Sequence, residues 1–301
     1  MSSRPAITVV MPTTCAAKRA DAIRRAVKGV LSQEGVEGTL VMVVNGQQFD
    51  AELVRAFETN PRIELHSLAE PSYPAACRYG RSLVQTEFFA YLDDDDEFLP
   101  GALRTRVAPL LDDASVDFVA TNGYLELGGV ETIAYAPSAR IEQEPLEELL
   151  RANWMQPCGN LFRSASVTLD DFDGTTRYYE WTLLAFKLSQ KLKLRFLDVP
   201  TYRKHDTPDS LYKSAGVVEG AVTVLDMLGS MNTKASLRGT LARLRGAALH
   251  SISDFHRAEG NYGKAWKYHV ESLVHPRGWR YLPYTRHLLL PSQRSKTSQE
   301  A

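Results

Sequence analysis

Cysteine is scarce: Cys15, Cys77 and Cys158 are the only three in 301 residues. Odd in number and far apart, they exclude a disulfide framework and a zinc site of closely spaced thiols, and they suit a reducing compartment. Each reads as a small buried hydrophobe. Long hydrophobic runs are also missing. No stretch of eighteen apolar residues occurs, so no helix is expected to span a membrane. The opening Met-Ser-Ser-Arg-Pro-Ala-Ile-Thr-Val-Val enters a strand-like pattern without a signal-peptide core. The expected location is cytoplasmic, with peripheral contact on the inner face of the membrane as the alternative. No internal repeat is evident. No nucleic-acid-binding motif accompanies the basic residues, so no nucleic-acid partner is expected.

What is present begins with Phe88-Phe-Ala-Tyr-Leu-Asp-Asp-Asp-Asp-Glu-Phe-Leu-Pro100. Five apolar or aromatic residues read as a buried strand, and four aspartates follow where that strand must end. Two like charges about 4 Å apart repel by roughly 4 kcal/mol at an effective dielectric near 20. Crowding four carboxylates at a strand terminus therefore implies a cation. A solvated acidic loop is the competing reading, but the abrupt change from apolar strand to acids favours a metal–phosphate site. Hard oxygen ligands suit Mg²⁺ or Mn²⁺, shared with substrate phosphates. In open α/β sheets, ligands bind beyond the carboxyl ends of the strands.

The first hundred residues alternate strand and helix patterns. Strands are expected at 6–11, 40–44, 62–68 and 88–92, with helices at 17–31, 51–57 and 74–84. That alternation implies βαβ units and a mostly parallel sheet. Beyond Pro100 a helix is expected at 103–111 and a strand at 116–121. A hairpin follows around Gly128-Gly129, then a helix at 145–152, a strand at 159–162, a helix at 180–191 and a strand at 194–199. From about Val217 the pattern is helical only.

Net charge is −1, yet the halves differ. Residues 1–233 hold 23 Lys and Arg against 32 Asp and Glu, whereas residues 234–301 hold 12 against 4 together with five of the seven histidines.

The order of strand–Pro12-Thr13, Val43-Val44-Asn45-Gly46, Ala75-Ala76-Cys77-Arg78-Tyr79-Gly80 and Tyr91-Leu92-Asp-Asp-Asp-Asp96…Pro100 resembles the nucleotide-binding half of a family 2 glycosyltransferase. The resemblance covers roughly residues 5–213. It implies the GT-A fold: a Rossmann-like, mostly parallel α/β sheet with flanking helices and an Asp-x-Asp metal motif. The catalytic domain would span 1–214, with a nucleotide-binding half to about 100 and an acceptor half from 101. A basic helical extension (215–291) and a disordered polar tail (292–301) would follow.

Carried over by position, Pro12 and Thr13 would lie against the nucleotide. Asn45 stands where the family usually has an aspartate that reads the base. An amide still permits uracil or thymine, so UDP or dTDP donors are favoured. Arg78 would reach base or phosphate, with a structural ion pair as its alternative. Asp93 and Asp94 would face the ribose and the outer metal shell, Asp95 would bind Mg²⁺ or Mn²⁺ directly, and Asp96 and Glu97 would be solvated.

In Arg177-Tyr178-Tyr179-Glu180-Trp181, similar to the family's Glu-Asp-Trp segment, Glu180 takes the place of the general base and Tyr179 that of the first acid. Asp206, Asp173 and Asp171 are the fallback bases. Tyr202-Arg203-Lys204-His205-Asp206…Ser210 resembles a segment that closes over the site. There His205 would bind metal or diphosphate, and Arg203 or Lys204 would neutralise the leaving phosphates. Trp154 and Trp181 could stack on a sugar, although a core role is commoner for tryptophan.

The implied activity is inverting, metal-dependent transfer of a sugar from a nucleotide-diphosphate sugar to a glycan or lipid-linked acceptor, in cell-envelope or other glycoconjugate synthesis. A catalytically degenerate scaffold, suggested by Asn45 and Tyr179, is one alternative. A sugar nucleotidyltransferase is another, opposed by the lack of glycine in Met11-Pro-Thr-Thr-Cys-Ala-Ala-Lys18. The Trp279–Leu290 stretch, with its interleaved aromatics, arginines and leucines, fits a membrane interface or else a packed helical hairpin.

Overall fold

The computed structural model describes residues 4–137, 139–174, 176–207, 215–231 and 234–289. Ser210, the boundary at 214 and the 292–301 tail lie outside them. The chain divides into two compact units on either side of residue 210.

The first unit is built on strands β1 (Ala6–Thr13), β2 (Glu37–Asn45), β3 (Ile63–Leu68) and β4 (Phe88–Tyr91). They are parallel to one another, in the spatial order β3-β2-β1-β4. Helices α1 (Ala20–Leu31), α2 (Ala51–Glu58) and α3 (Tyr73–Leu83) make the crossovers. Helix α1 buries Ile23, Ala26, Val27 and Val30, the apolar positions of one face. Helix α2 starts where Asp50 accepts from the amides of Glu52 and Leu53, and α3 starts at Ser72 with Pro74 in its first turn. All four residues of β4 are buried, which accounts for its unbroken apolar run. Because β1 has β2 on one side and β4 on the other, the strand order reverses beside it. The crevice at the carboxyl ends of β1 and β4 is the ligand position of such sheets.

Gly80 seats α3 on this sheet. A Cβ there would lie 2.3 Å from Val10 Cγ1 and 3.3 Å from Val43 Cγ2. Gly80→Ala is expected to destabilise the protein by about 1–3 kcal/mol through overpacking. Urea titration would show this as a lower midpoint at unchanged slope.

The rest of the sheet is mixed. It comprises β5 (Glu97–Phe98), β6 (Phe118–Leu127), β7 (Val130–Ile133), β8 (Asn160–Arg163) and β9 (Leu194–His205), with helices α4 (Ala102–Asp112), α5 (Pro145–Arg151) and α6 (Glu180–Ser189). Strand β8 is antiparallel to β4 and β6, while β6 and β9 run parallel. Two sequence expectations are corrected here. Strand β6 is continuous through Tyr124 rather than ending at Thr121. Strand β9 runs on through Pro200 to His205 rather than ending at Val199. Pro200 is accommodated at a register shift opposite Asn122. Gly123 leaves room for the Tyr202 ring, which a Cβ would meet at 2.4 Å.

The second unit is helical: α7 (Ala215–Ser230), α8 (Ala235–Ala258), α9 (Tyr262–Leu273), a 3₁₀ segment (Gly278–Tyr284) and α10 (Thr285–Leu289). Leu237, Leu241, Leu249 and Ile252 are buried along α8. The unit's five histidines include two that make packing or hydrogen-bond contacts within it. His250 stacks on Tyr281 at 4.1 Å, and His269 shares a 2.8 Å hydrogen bond with the Thr285 hydroxyl. No helix among the described residues is long and apolar enough to cross a membrane.

Candidate active site

Beyond Tyr91 the backbone alternates in exposure. Asp94 and Asp96 are buried at 5% and 2%, whereas Asp93, Asp95 and Glu97 are partly exposed. The alternation puts an Asp-x-Asp pair, Asp93 and Asp95, on the accessible side.

Each carboxylate has its own solution to the crowding. Asp94 accepts from the Thr13 hydroxyl at 2.5 Å and from the Arg19 guanidinium. Burial pushes its pKa up to about 7, with Arg19 and Thr13 pulling the other way. Asp95 meets Arg19 Nη2 at 3.0 Å and accepts from the Thr207 hydroxyl at 3.0 Å. Asp93 accepts from the Tyr73 hydroxyl at 2.7 Å, and burial raises its pKa. Asp96 accepts from the His205 amide at 3.3 Å, while its Oδ2 is buried without a hydrogen bond. Burial raises its pKa to about 8, opposed by Lys204.

Asp96 is thus buried, and Glu97 is ion-paired rather than merely solvated. Pairing of β5 with β9 draws them inward, and Glu97 is held by Arg203 and by Arg25 Nε at 3.6 Å. Asp93–Asp96 are therefore tolerated by partial neutralisation of the buried members, by the Tyr73 hydroxyl on Asp93 and by Arg19 on Asp95.

At the tips of β1 and β2, Pro12, Thr13 and Asn45 are buried. Asn45 Nδ2 donates to the Thr13 carbonyl at 3.0 Å, tying the two strand ends together. Thr13 Oγ1 also accepts from the Cys15 amide. Arg78 donates to Asp173 at 2.5 Å in a half-exposed ion pair, which would have to open for Arg78 to reach a nucleotide.

Glu180 opens α6. Tyr178 before it has a φ of 86°, a conformation that side chains other than glycine rarely adopt. The Tyr178 amide donates to Glu180 Oε1 at 3.0 Å. Burial raises the Glu180 pKa, and the Asp93 charge raises it further. Trp181 Nε1 donates to Tyr73 Oη at 3.0 Å, and that hydroxyl in turn donates to Asp93. One hydrogen-bonded chain, Trp181–Tyr73–Asp93, therefore fixes the start of α6 against the acidic loop. Glu180 lines a small pocket with Pro74, Cys77, Phe172, Trp181 and Leu184.

On β9, Arg203 lies between Glu97 and Glu131, and Lys204 donates to Gln156 Oε1 at 3.2 Å. His205 Nδ1 is 3.1 Å from Glu126 and its Nε2 is 3.9 Å from Glu97. That Nε2 is buried without a hydrogen bond. The sugar-stacking reading of the tryptophans is corrected. Trp154 is 1% exposed, stacked on Phe118 and bonded to the Pro145 carbonyl. Trp181 is 5% exposed and packs edge-on against Tyr91. Neither has an open face. Cys15, Cys77 and Cys158 are buried and free. Arg19 and Tyr73 were not picked out by sequence reasoning, although the basic Lys18-Arg19 pair directly after the β1 tip was a usable signal.

Among the described residues, no group of three or more histidine, cysteine or carboxylate side chains could enclose a metal by itself. That argues against a protein-only cage and says nothing against Mg²⁺ or Mn²⁺ sharing substrate phosphates, which needs one or two carboxylates. The partly exposed Asp95 carboxylate and the His205 Nε2, which makes no hydrogen bond, are donors of the right chemistry, so the residues present fit such an ion.

Residues 8–169, just over half of the chain, match the sequence profile of glycosyl transferase family 2. No curated protein matches the sequence. Among solved structures, S. aureus TarS 1–349 in complex with UDP-GlcNAc is similar at a TM-score of 0.61 and 14% identity, covering 89% of this chain and 80% of that one. The same protein without that ligand gives 0.56, and in complex with UDP 0.55. Both are 14% identical and cover 85% of this chain and 74% of theirs. At that identity the likeness shows the fold, a GT-A α/β architecture.

Proposed function

Because the chain belongs to glycosyl transferase family 2, we propose that it moves a sugar, with inversion, from a nucleotide-diphosphate sugar to an acceptor hydroxyl. The observation that carries this reading is the hydrogen-bonded chain from Trp181 through Tyr73 to Asp93. It fixes the helix start that carries the partly buried Glu180 carboxylate against the acidic loop at the sheet's switch point. A base and a phosphate-facing loop held in fixed relation are what an in-line displacement requires.

Glu180 accepts the proton of the acceptor hydroxyl, whose oxygen then attacks the anomeric carbon from the face opposite the leaving diphosphate. Asp93 orients the ribose, and the tips of β1 and β2 at Thr13 and Asn45 flank the base. Asp95 and His205 would hold a Mg²⁺ or Mn²⁺, which would supply positive charge to the departing diphosphate. Arg203 and Lys204 add positive charge on the β9 side. A uracil or thymine nucleotide is the favoured donor, and UDP-GlcNAc and UDP are the ligands named for the TarS structures. A panel of UDP, dTDP, GDP and ADP with and without Mn²⁺ tests the donor site by thermal shift. UDP or dTDP with Mn²⁺ is expected to raise Tm most, because binding stabilises the folded state by mass action. A panel without any shift would count against the reading.

The acceptor is a glycan or lipid-linked hydroxyl of the cell envelope, met at a membrane surface by the helical unit. Trp279 and Leu282, three apart on the 3₁₀ segment, are 68% and 55% exposed, and Leu289 is 66% exposed. Arg277, Arg280 and Arg286 are exposed among them, and no acidic residue occurs between Glu271 and Glu300. That combination matches an anionic lipid surface. The full chain is expected to float with phosphatidylglycerol vesicles at low salt and to detach at high salt. Replacing Trp279 and Leu282 with alanine should weaken flotation. Failure to float at low salt would mean that this face does not bind lipid.

A further inference from the structure

Arg19 sits on the short turn that follows the β1 tip, and its guanidinium reaches into the acidic loop. It hydrogen-bonds Asp94 and lies 3.0 Å from Asp95 Oδ2. Its side chain is 26% exposed, and its Nε is buried without an acceptor. The neighbouring cations have other hydrogen-bond partners, and the Lys204 charge also acts on Asp93 and Asp96. Arg25 donates to the Asp95 carbonyl and faces Glu97, Arg203 holds Glu97 and Glu131, and Lys204 donates to Gln156. The Arg19 guanidinium holds the Asp95 carboxylate directly.

A divalent ion on Asp95 and a guanidinium on the same carboxylate repel each other, so the two compete. A displaced guanidinium needs another anion. Its fixed fork of N–H donors matches phosphate oxygens, and its Nε–H is unspent. We propose that Arg19 is a built-in counter-cation that holds Asp95 in the free protein and passes to the donor's diphosphate when a divalent ion takes that carboxylate. Nucleotide diphosphate and metal then bind as a coupled pair, each strengthening the other by the same factor. The inference rests on the assignment of Asp95 as the metal-facing carboxylate.

Electron paramagnetic resonance of Mn²⁺ with the full chain, without and with saturating UDP, provides the test. In Arg19→Gln, affinity for Mn²⁺ alone is expected to rise on the order of tenfold, and the enhancement produced by UDP to shrink by a similar factor. Arg19→Gln leaves buried Asp94 without its cation. The double variant Arg19→Gln/Asp94→Asn removes that burden and should show the same two changes if the single variant folds poorly. Unchanged affinity for Mn²⁺ alone, with unchanged enhancement by UDP, would overturn the role of Arg19 while leaving the metal assignment in place. Absence of Mn²⁺ binding in the wild type with UDP would overturn both.

Discussion

Glu180→Gln is expected to leave donor affinity near the wild-type value while turnover with acceptor falls by roughly 10²–10⁴-fold, the usual contribution of a general base. Glutamine preserves the shape of the side chain and can still accept from the Tyr178 amide through its oxygen. What it loses is the capacity to take a proton. The pH profile separates this from a packing effect. Burial raises the Glu180 pKa, and the group acts only when ionised. Turnover should therefore climb with pH through a value above the ordinary glutamate range, and the residual rate of the variant should lack that limb. A glutamate that only complemented the helix dipole would instead cost about 0.3–1 kcal/mol of stability at nearly normal turnover. In that event the base would have to be sought elsewhere, and two fallback positions are already occupied. Asp171 pairs with Lys191 at 2.5 Å, and Asp173 pairs with Arg78. Asp206, Asp173 and Asp171 would then be tested in turn.

The second large effect is expected at the acidic loop. Asp95→Ala should weaken Mn²⁺-dependent UDP binding by more than roughly 100-fold, beyond the 10–100-fold typical of a residue outside the metal's own shell. Stability should change little. Arg19 keeps Asp94 as its partner, and removing one carboxylate from a crowded loop relieves repulsion. Calorimetric titration of UDP in the presence of Mn²⁺ measures the first effect, and the melting temperature measures the second. Wild-type affinity in Asp95→Ala would move the metal assignment to another carboxylate, Asp93 being the other partly exposed aspartate of the loop.

These expectations start from features that were plain in the chain. An apolar strand running straight into four aspartates announced the loop, and the alternating periods of the first hundred residues announced the parallel sheet. The Asp-x-Asp spacing was visible, but which acids face outward was not. That depends on the pairing of β5 with β9, a contact between residues about a hundred positions apart. The length of β9 was hidden for a related reason. Pro200 is a fair local signal for the end of a strand, and only the register shift opposite Asn122 lets the strand continue. Trp154 and Trp181 fit either a sugar platform or a core, and packing against Phe118 and Tyr91 decided for the core. Arg19 lies 75 residues from Asp94 in sequence, and the basic pair after the β1 tip marked the position without showing which acid it meets.

The most direct test of glycosyl transfer is release of nucleotide from a panel of UDP- and dTDP-sugars with Mn²⁺, followed by phosphorus NMR. The expected result is slow liberation of UDP or dTDP from at least one donor by the wild type and none by Asp95→Ala. No release from any donor, or equal release by both proteins, would contradict it.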